Sequence, residues 1–369
     1  MTERMSPGCL EVAESRTGTK TGGPGTVPFI GTIDLPKIID NGEDAPAIAL
    51  GTADREHGVL AVCDGMGGAG SRRVLVDGLE RSEAWHAARL AGMSIERWVR
   101  SDGFSFTDPD MESLEAGIDE SLQRAARQLP QRNPALKSKM IRTLPTTLTL
   151  ALWNTKIDGS VSVTAAWLGD SRLYGMSPQT GLFQITVDDA AGKPDALESL
   201  RTDPPLTKCV SADGPTRLHR GRIILPEPSV LFAASDGFFG YAKSPLHLEA
   251  ELLKALWSHS DWDGFLAALK RFARQTAADD VSVALALLGT DSWTEFRAGF
   301  QDLVEARCSQ LQQLDLQDAH AARLRELGRE ATELAREATE LAEASLEQAW
   351  RRRTKSYYRH ALSEGPANG

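Results

Sequence analysis

The most informative segment of this chain is Val59-Leu60-Ala61-Val62-Cys63-Asp64-Gly65-Met66-Gly67-Gly68-Ala69-Gly70-Ser71. Its first five residues are apolar and match a buried strand, which ends abruptly at the carboxylate of Asp64. Four of the next six residues are glycine, so the backbone can turn sharply and an ion or a phosphate can approach the main chain. The segment therefore predicts a strand that delivers a carboxylate to a turn.

The same pattern returns far along the chain, in Val230-Leu231-Phe232-Ala233-Ala234-Ser235-Asp236-Gly237. An isolated Asp-Gly pair is first of all a turn dipeptide, so either occurrence alone would be ordinary. Two apolar strands that both end in Asp-Gly instead predict that Asp64 and Asp236 are brought to one place.

Composition and charge exclude several classes of protein. The chain has 369 residues, of which 41% are hydrophobic and 25% charged, as expected for a soluble globular protein of one large or two ordinary domains. Its net charge of -10 argues against a general nucleic-acid binder or a binder of anionic membranes. We expect neither partner.

The cellular compartment is inferred from what the sequence lacks. No apolar run reaches the roughly 18 residues that a membrane span needs, and the first residues do not form the hydrophobic core of a signal peptide. The four cysteines follow no zinc-binding pattern. The sequence therefore predicts a cytoplasmic protein with reduced thiols.

Three regions follow from the pattern along the chain. Residues 1–26 are rich in Thr, Gly, Ser and Pro, and we expect them to be disordered. Residues 27–290 contain, in order, strands, two helices, strands, helices and a final strand, and the first two helices are predicted over about 73–99 and 111–129. Because strands and helices come in separate blocks, the pattern predicts an α+β fold of packed layers. Residues 189–206 are predicted to be a surface loop.

Residues 291–369 form the third region, which is predicted to be helical throughout. Arg329–Ala335 repeats at once as Arg336–Ala342, and leucines recur seven residues apart at 327, 334 and 341. This is a short heptad seam, which serves equally well for a helix packed on the body or for an independent coiled coil. We expect a protein partner or self-association through residues 300–355.

Acidic residues accumulate at the predicted strand ends and turns. They are Glu43, Asp44, Asp64, Asp170, Asp236, Asp279 and Asp280. An all-oxygen set without Cys or His suits Mg²⁺ or Mn²⁺ rather than zinc, and clustered carboxylates repel one another unless cations neutralise them. Two such ions about 4 Å apart can hold a bridging water, lower its pKa and clamp a phosphate. The set predicts hydrolysis of a phosphoester without a protein nucleophile.

Five motifs, in this order, resemble those of the protein phosphatase 2C (PPM) family. They are Asp64-Gly65-Met66-Gly67-Gly68, Thr146-Thr147, Gly169-Asp170-Ser171-Arg172-x-Tyr174, Ser235-Asp236-Gly237 and Asp279-Asp280-Val281-Ser282-Val283. Met66 replaces the histidine of the eukaryotic members, which makes the chain similar to the bacterial branch. The resemblance covers about residues 27–288 and implies a β-sandwich of two antiparallel sheets flanked by helices, with metals at one end.

The resemblance also implies a role for each acidic residue. Asp64 would bridge two Mg²⁺ or Mn²⁺ ions through its carboxylate, and Gly65 would contribute its carbonyl oxygen. Asp236 and Asp279 would complete the first metal site. Catalysis would then depend on Asp64 and Asp236, acting through a metal-bound water.

The remaining acidic residues would serve the outer positions of the same centre. Asp44 would face the second metal, with Glu43 helping through a water molecule. Asp170 would bind a third ion, which is found in many members of the family. Asp280 stands where the family has Asn or Asp and would support the metal ligands rather than touch a metal.

The chain departs from the family at the phosphate-binding residue. The arginine that the family carries a few residues before its first acidic motif has no counterpart here, and Lys37 is the nearest cation. We therefore take Lys37 as the candidate phosphate-binding residue. With Met66 at the histidine position, no side chain is assigned as the general acid, and a metal-bound water could donate the proton.

Three interpretations of the function remain at this stage. The first is a metal-dependent protein phosphatase of bacterial signalling, which hydrolyses phosphoserine and phosphothreonine in the products of a Ser/Thr kinase. The second is a catalytically weak or inactive phosphatase-like sensor that signals through its C-terminal helices. The third is a phosphoesterase that acts on small molecules.

Overall fold

The computed structural model describes residues 29–39, 41–130, 141–191 and 206–357. The segment predicted to be disordered, residues 1–26, lies outside these ranges. Most of the loop predicted over residues 189–206 lies outside them as well.

Two antiparallel sheets form the centre of the fold. The first has the strand order β1 (Ile30–Leu35), β12 (Val281–Leu288), β11 (Ser229–Ala234), β8 (Arg172–Ser177) and β9 (Gly181–Gln184). The second has the order β10 (His219–Ile224), β7 (Val161–Leu168), β6 (Leu148–Thr155), β3 (His57–Val62) and β2 (Ile48–Gly51). The central strands β3, β6, β11 and β12 are almost wholly buried, which explains their apolar sequences, whereas the edge strand β10 is largely exposed.

The two sheets pack face to face through one set of alternating side chains. Leu60 and Val62 of β3 belong to the same buried cluster as Leu231 and Ala233 of β11. The side chains that alternate with these face the flanking helices instead, as the two-residue period of a strand requires.

Helices cover the outer face of each sheet. The helices are α1 (Glu83–Val99), α2 (Met111–Ala126), α3 (Asp236–Phe239), α4 (Pro245–Ser258), α5 (Trp262–Thr276), α6 (Trp293–Ala298) and α7 (Gln301–Tyr357). The pair α1 and α2 packs on the sheet that contains β3, whereas α4, α5 and α6 pack on the sheet that contains β11. The predicted sandwich of two antiparallel sheets flanked by helices is therefore confirmed.

The first predicted helix begins too early. Residues 73–82 form a hairpin of β4 (Arg73–Val76) and β5 (Leu79–Ser82), and α1 begins only at Glu83. Asp77 and Gly78 both have positive φ (49° and 82°), as a two-residue hairpin turn of the primed type requires. The Asp-Gly pair was the local signal for this turn, and it outweighed the helical periodicity.

The chain divides into two compact units, Met1–Arg307 and Cys308–Gly369. The described part of the second unit is the continuation of α7, a helix of 57 residues that would be about 85 Å long. Its heptad leucines are exposed, Leu334 by 65% and Leu341 by 70%. None of the helices in the described ranges combines the length and apolarity that crossing a membrane demands.

Candidate functional site

Paired threonines hold the turn after β3 in place. The Asp64 carbonyl accepts hydrogen bonds from the Thr147 backbone N–H (2.9 Å) and the Thr146 hydroxyl (2.6 Å). The Thr147 hydroxyl also accepts from the Asp64 N–H (3.2 Å). The end of β3 is therefore fixed to the start of β6, and the Asp64 side chain projects from a rigid base.

Hydroxyl groups next to the other acidic residues connect the remaining strand ends. The Thr147 hydroxyl lies 2.7 Å from that of Ser171, the neighbour of Asp170. The Ser282 N–H donates to the hydroxyl of Ser235, the neighbour of Asp236 (2.9 Å). These small hydroxyl residues let chain ends from both sheets meet without burying unsatisfied backbone groups.

The loop that carries Asp44 is attached to both sheets as well. The Ala45 N–H donates to the carbonyl of Cys63 at 3.0 Å, and the Ala45 carbonyl accepts from the Ser282 hydroxyl at 3.1 Å. Asp44 is thereby brought beside Asp64, close enough for each carboxyl group to affect the pKa of the other.

The electrostatics of this cluster show that its carboxylates lie close together. Burial raises the pKa of Asp64 well above its ordinary value, and the negative charges of Asp44, Asp236 and Asp170 raise that pKa further. Burial also raises the pKa of Asp44 to about 7, with the charge of Asp280 as the next cause. In the absence of cations these carboxyl groups favour holding protons.

Asp170 occupies the side of the cluster next to β8. Burial raises its pKa to about 7, and the charges of Asp236 and Asp188 act in the same direction. Arg172 holds Asp188 through a two-point contact, with Nη2 and Nε at 2.7 and 2.9 Å from the two carboxylate oxygens. This buried pair fixes the segment beside Asp170.

The composition and burial of the cluster fit a divalent cation. The Oδ2 atom of Asp44 is buried and has no hydrogen-bond partner among the described residues. A buried acceptor in this state costs free energy, which a cation would recover. Because Asp44, Asp64, Asp170 and Asp236 offer only oxygen, the donor set suits Mg²⁺ or Mn²⁺.

Glu43 explains the glycines of the turn. A Cβ atom at Gly65 would lie 2.5 Å from the Glu43 backbone carbonyl, and one at Gly67 would overlap the Glu43 carboxylate. Burial raises the pKa of Glu43, and its N–H donates to Asp280 Oδ2 (2.5 Å). The glycine-rich turn therefore lies directly on the acidic loop, where neither Gly65 nor Gly67 has room for a Cβ atom.

Asp279 and Lys37 lie at the outer edge of the site. The Lys37 Nζ atom is 3.8 Å from Asp279 Oδ1, and both side chains are more than half exposed. The Lys37 backbone N–H donates to Asp280 Oδ1 at 2.6 Å. The charges that raise the Asp44 pKa include Asp280 but not its neighbour Asp279. The metal role of Asp279 and the phosphate role of Lys37 remain predictions.

A second group of possible metal ligands lies away from the strand-end carboxylates. In the described ranges, one set of three side chains, Asp54, Glu56 and His57, has ligand atoms that all lie within 4.8 Å of one another. This set is at the start of β3, the end of the strand opposite to Asp64, and its two carboxylates are exposed. Exposed acidic groups are common without an ion, so we assign it no function.

The sequence interpretation missed three residues that border the site. A cavity of about 580 Å³ beside Asp44 is lined by Arg81, Trp85 and Arg89. Trp85 and Arg89 are four residues apart on α1, and the guanidinium carbon of Arg89 lies 3.9 Å from the centre of the indole. The four-residue spacing of Trp85 and Arg89 within the predicted helix was the sequence signal for this contact.

Comparison with solved structures finds the same fold in bacterial phosphatases. The serine/threonine phosphatase Stp1 from Staphylococcus aureus gives a TM-score of 0.52 at 18% identity, over 73% of this chain and 99% of that chain. A structure described as a bacterial serine phosphatase gives 0.52 at 19% identity, over 72% and 99%. Neither family models nor curated protein sequences gave a match. The chain therefore has the α+β sandwich of the PPM-type serine/threonine phosphatases, as its motifs predicted.

Proposed function

We propose that this protein is a metal-dependent phosphatase that hydrolyses phosphoserine and phosphothreonine in other proteins. The observation that carries the proposal is the cluster of carboxyl groups at the strand ends, in which Asp44 lies beside Asp64 and the Asp44 Oδ2 atom has no hydrogen-bond partner among the described residues. The fold supports it, because Stp1, which has this fold, is a serine/threonine phosphatase.

We base the proposed metal-binding role of each residue on its neighbours in the cluster and on the sequence motifs. The charges of Asp44, Asp236 and Asp170 all raise the Asp64 pKa, which suits a residue shared by two cations. Two bound Mg²⁺ or Mn²⁺ ions would supply an activated water and charge neutralisation for the phosphoryl group. Asp170, which lies near Asp236 and Asp188, suits a third ion. We retain Asp279, Gly65 and Glu43 in the roles that the motifs predict.

Protons and divalent cations should compete for the carboxyl groups of this cluster. The Asp44 and Asp64 carboxyl groups favour protonation because they are buried together. A divalent cation must displace this proton, so its affinity should rise with pH over the range in which the cluster ionises.

Hydrolysis of a phosphothreonine peptide with millimolar Mn²⁺ tests the proposal. We expect Asp64→Asn and Asp236→Asn to lower kcat by at least about a hundredfold, since each removes a ligand of the proposed centre. Asp54→Asn is the matched control, because Asp54 is an exposed acidic residue at the other end of β3.

Two results would reject this function. Wild-type protein with no turnover above the Asp64→Asn level would favour the sensor interpretation. Turnover of small phosphomonoesters alone, with none on phosphopeptides or phosphoproteins, would favour a small-molecule phosphoesterase.

A further inference from the structure

The cavity beside Asp44 has an acidic wall and a basic wall. Asp44 and Asp280 line the first, and Arg81, Trp85 and Arg89 line the second. The basic wall comes from β5 and the first two turns of α1, and none of its residues belongs to the five motifs. A volume of about 580 Å³ is ample for a phosphorylated side chain.

Arg89 is held rigidly at the mouth of the acidic loop. Its Nη1 atom donates to the Glu43 carbonyl (3.1 Å) and its Nη2 atom to the Gly42 carbonyl (3.3 Å), while the guanidinium stacks on Trp85. Burial lowers the Arg89 pKa to about 10, and the charges of Asp44 and Asp280 oppose that decrease. The guanidinium therefore remains charged at neutral pH, and its position is fixed relative to Asp44.

Arg81 reaches the other side of the same indole. Its guanidinium carbon lies 5.7 Å from the centre of the Trp85 ring, and its Nη1 atom donates to the Glu80 carbonyl at 2.9 Å. Its Nε atom is buried, and no acceptor for it exists in the part of the chain that the structure describes. A buried, charged N–H without an acceptor is costly, and an anion in the cavity would satisfy it.

The two arginines also repel each other, since the charge of Arg81 contributes to lowering the Arg89 pKa. The negative charge of Asp280 offsets part of this repulsion. Cations bound at Asp44 and Asp64 would add positive charge beside the two arginines, and the cavity would then attract an anion more strongly. Metal loading and anion binding should therefore support each other.

On the basis of the proposed function, we infer that Arg81 and Arg89, placed around Trp85, bind the phosphoryl group of the substrate. They would take the role for which Lys37 was the sequence candidate. Planar guanidinium groups match phosphate oxygens in a two-point geometry that an ammonium group lacks. The arginines come from the hairpin and helix that follow the glycine-rich turn, rather than from the segment before Asp44.

Inhibition by inorganic phosphate tests this assignment. With Mn²⁺ and p-nitrophenyl phosphate, we expect Arg81→Gln and Arg89→Gln to raise the phosphate inhibition constant and KM about tenfold. The Mn²⁺ concentration for half-activation should change less than about twofold in Arg81→Gln, because the Arg81 side chain bonds to the Glu80 carbonyl of its own hairpin and not to the Asp44 loop. Arg73→Gln is the matched control, since Arg73 is exposed on the same hairpin and does not line the cavity.

The Arg89→Lys variant separates anion binding from support of the loop. A lysine keeps the charge and can reach one carbonyl, but it loses the fork, so we expect an intermediate phosphate inhibition constant. An unchanged phosphate inhibition constant in both Arg81→Gln and Arg89→Gln would overturn the inference. An increase confined to the Mn²⁺ requirement of Arg89→Gln would overturn it as well, because it would show a purely structural role.

Different results would reject this inference and the proposed function. Wild-type protein that does not hydrolyse either substrate would reject the phosphatase proposal. Calorimetric titration of the Mg²⁺-loaded protein with inorganic phosphate would then test the arginine pair alone. Binding that weakens about tenfold in Arg81→Gln supports the pair, and equal binding in wild type and variant rejects it.

Discussion

At the scale of single residues, the glycines of the turn after β3 differ in how closely other atoms pack against them. A side chain at Gly65 would meet the backbone carbonyl of Glu43 at 2.5 Å, whereas a Cβ at Gly68 would find nothing within 4 Å. Backbone cannot move aside as easily as the end of a side chain, so the two positions should respond differently to the same substitution.

We expect Gly65→Ala to lower the free energy of unfolding by roughly 1–3 kcal/mol and to abolish most Mn²⁺-dependent activity, because the acidic loop must shift. Gly68→Ala, in the same turn, should change stability by less than about 0.5 kcal/mol. Urea unfolding and aryl phosphate hydrolysis measure both effects. Equal behaviour of the two variants would contradict the packing described for Glu43.

Protonation of Asp44 gives a second prediction at this scale. Its pKa is raised from 3.8 to about 7 by burial and by neighbouring carboxylates. The stability that this group contributes to the metal-free protein is therefore complete below about pH 4 and is lost as the pH rises through about 7. A divalent cation replaces the proton, so it should stabilise the protein more at about pH 7.5 than at about pH 5.5.

Thermal unfolding with and without millimolar Mg²⁺ measures this effect. We expect Mg²⁺ to raise Tm by roughly 3 °C or more at about pH 7.5, and by much less at about pH 5.5. Asp44→Asn should remove most of the Mg²⁺ effect, whereas Asp54→Asn should retain it. The same increase in Tm at both pH values would contradict a cation site at Asp44.

At the scale of elements, the start of β8 depends on a buried ion pair. The Arg172 and Asp188 side chains are only 4% and 6% exposed, and they contact each other at 2.7 Å. Arg55 and Asp291 form a comparable pair at the surface, with side-chain exposures of 39% and 88%. Loss of one partner leaves an uncompensated buried charge in the first pair and a hydrated charge in the second.

Arg172→Met should therefore destabilise the protein by about 3–5 kcal/mol, whereas Arg55→Met should cost less than about 1 kcal/mol. Chemical unfolding of both variants gives the comparison. A loss below about 1 kcal/mol for Arg172→Met would mean that Asp188 finds another partner and does not depend on the motif arginine.

The long helix α7 belongs to two parts of the molecule. Leu303 and Val304 pack against the core beside α6, and Arg307 contacts Glu249 at 2.9 Å. Beyond this start, the heptad leucines are exposed, and so is Trp350 by 53%. We propose that the exposed seam self-associates or binds another protein, and that the catalytic unit does not require it.

Deletion of residues 308–369 should therefore leave hydrolysis of p-nitrophenyl phosphate within about twofold of the full chain, while sedimentation shows a smaller assembly or the loss of a partner. A deletion from residue 300 is the control, and it should destabilise the remainder because it also removes Leu303, Val304 and Arg307. Loss of all soluble protein on deletion of 308–369 would show that the exposed seam stabilises the core.

At the scale of the whole molecule, the sandwich could be predicted because local signals and long-range motifs agree. The central strands are apolar runs bounded by turns, and the turn dipeptide Asp158-Gly159 lies between β6 and β7. The hairpin at Asp77-Gly78 was missed because its strands are short and lie directly before a strong helix. Propensity alone cannot place the first residue of a helix that follows a strand without a break.

The site could be predicted only in part, for a physical reason. Asp64, Asp170 and Asp236 stand next to strand ends, so their convergence follows from the sheet topology. Arg81 lies on a hairpin and Arg89 on a helix. Their proximity to the site depends on how these two elements pack, which the local sequence pattern does not indicate. Any charged residue on a helix surface would have looked the same as Arg89.

The central claim is that the strand-end carboxylates form a metal-dependent phosphatase centre in which water attacks phosphorus. The most direct test is Mn²⁺-dependent release of phosphate from a phosphothreonine peptide in water enriched in heavy oxygen, followed by mass spectrometry of the phosphate. We predict that released phosphate gains one oxygen atom from the solvent, and that Asp64→Asn releases none. Phosphate without solvent oxygen, or release that does not depend on Mn²⁺, would contradict this account.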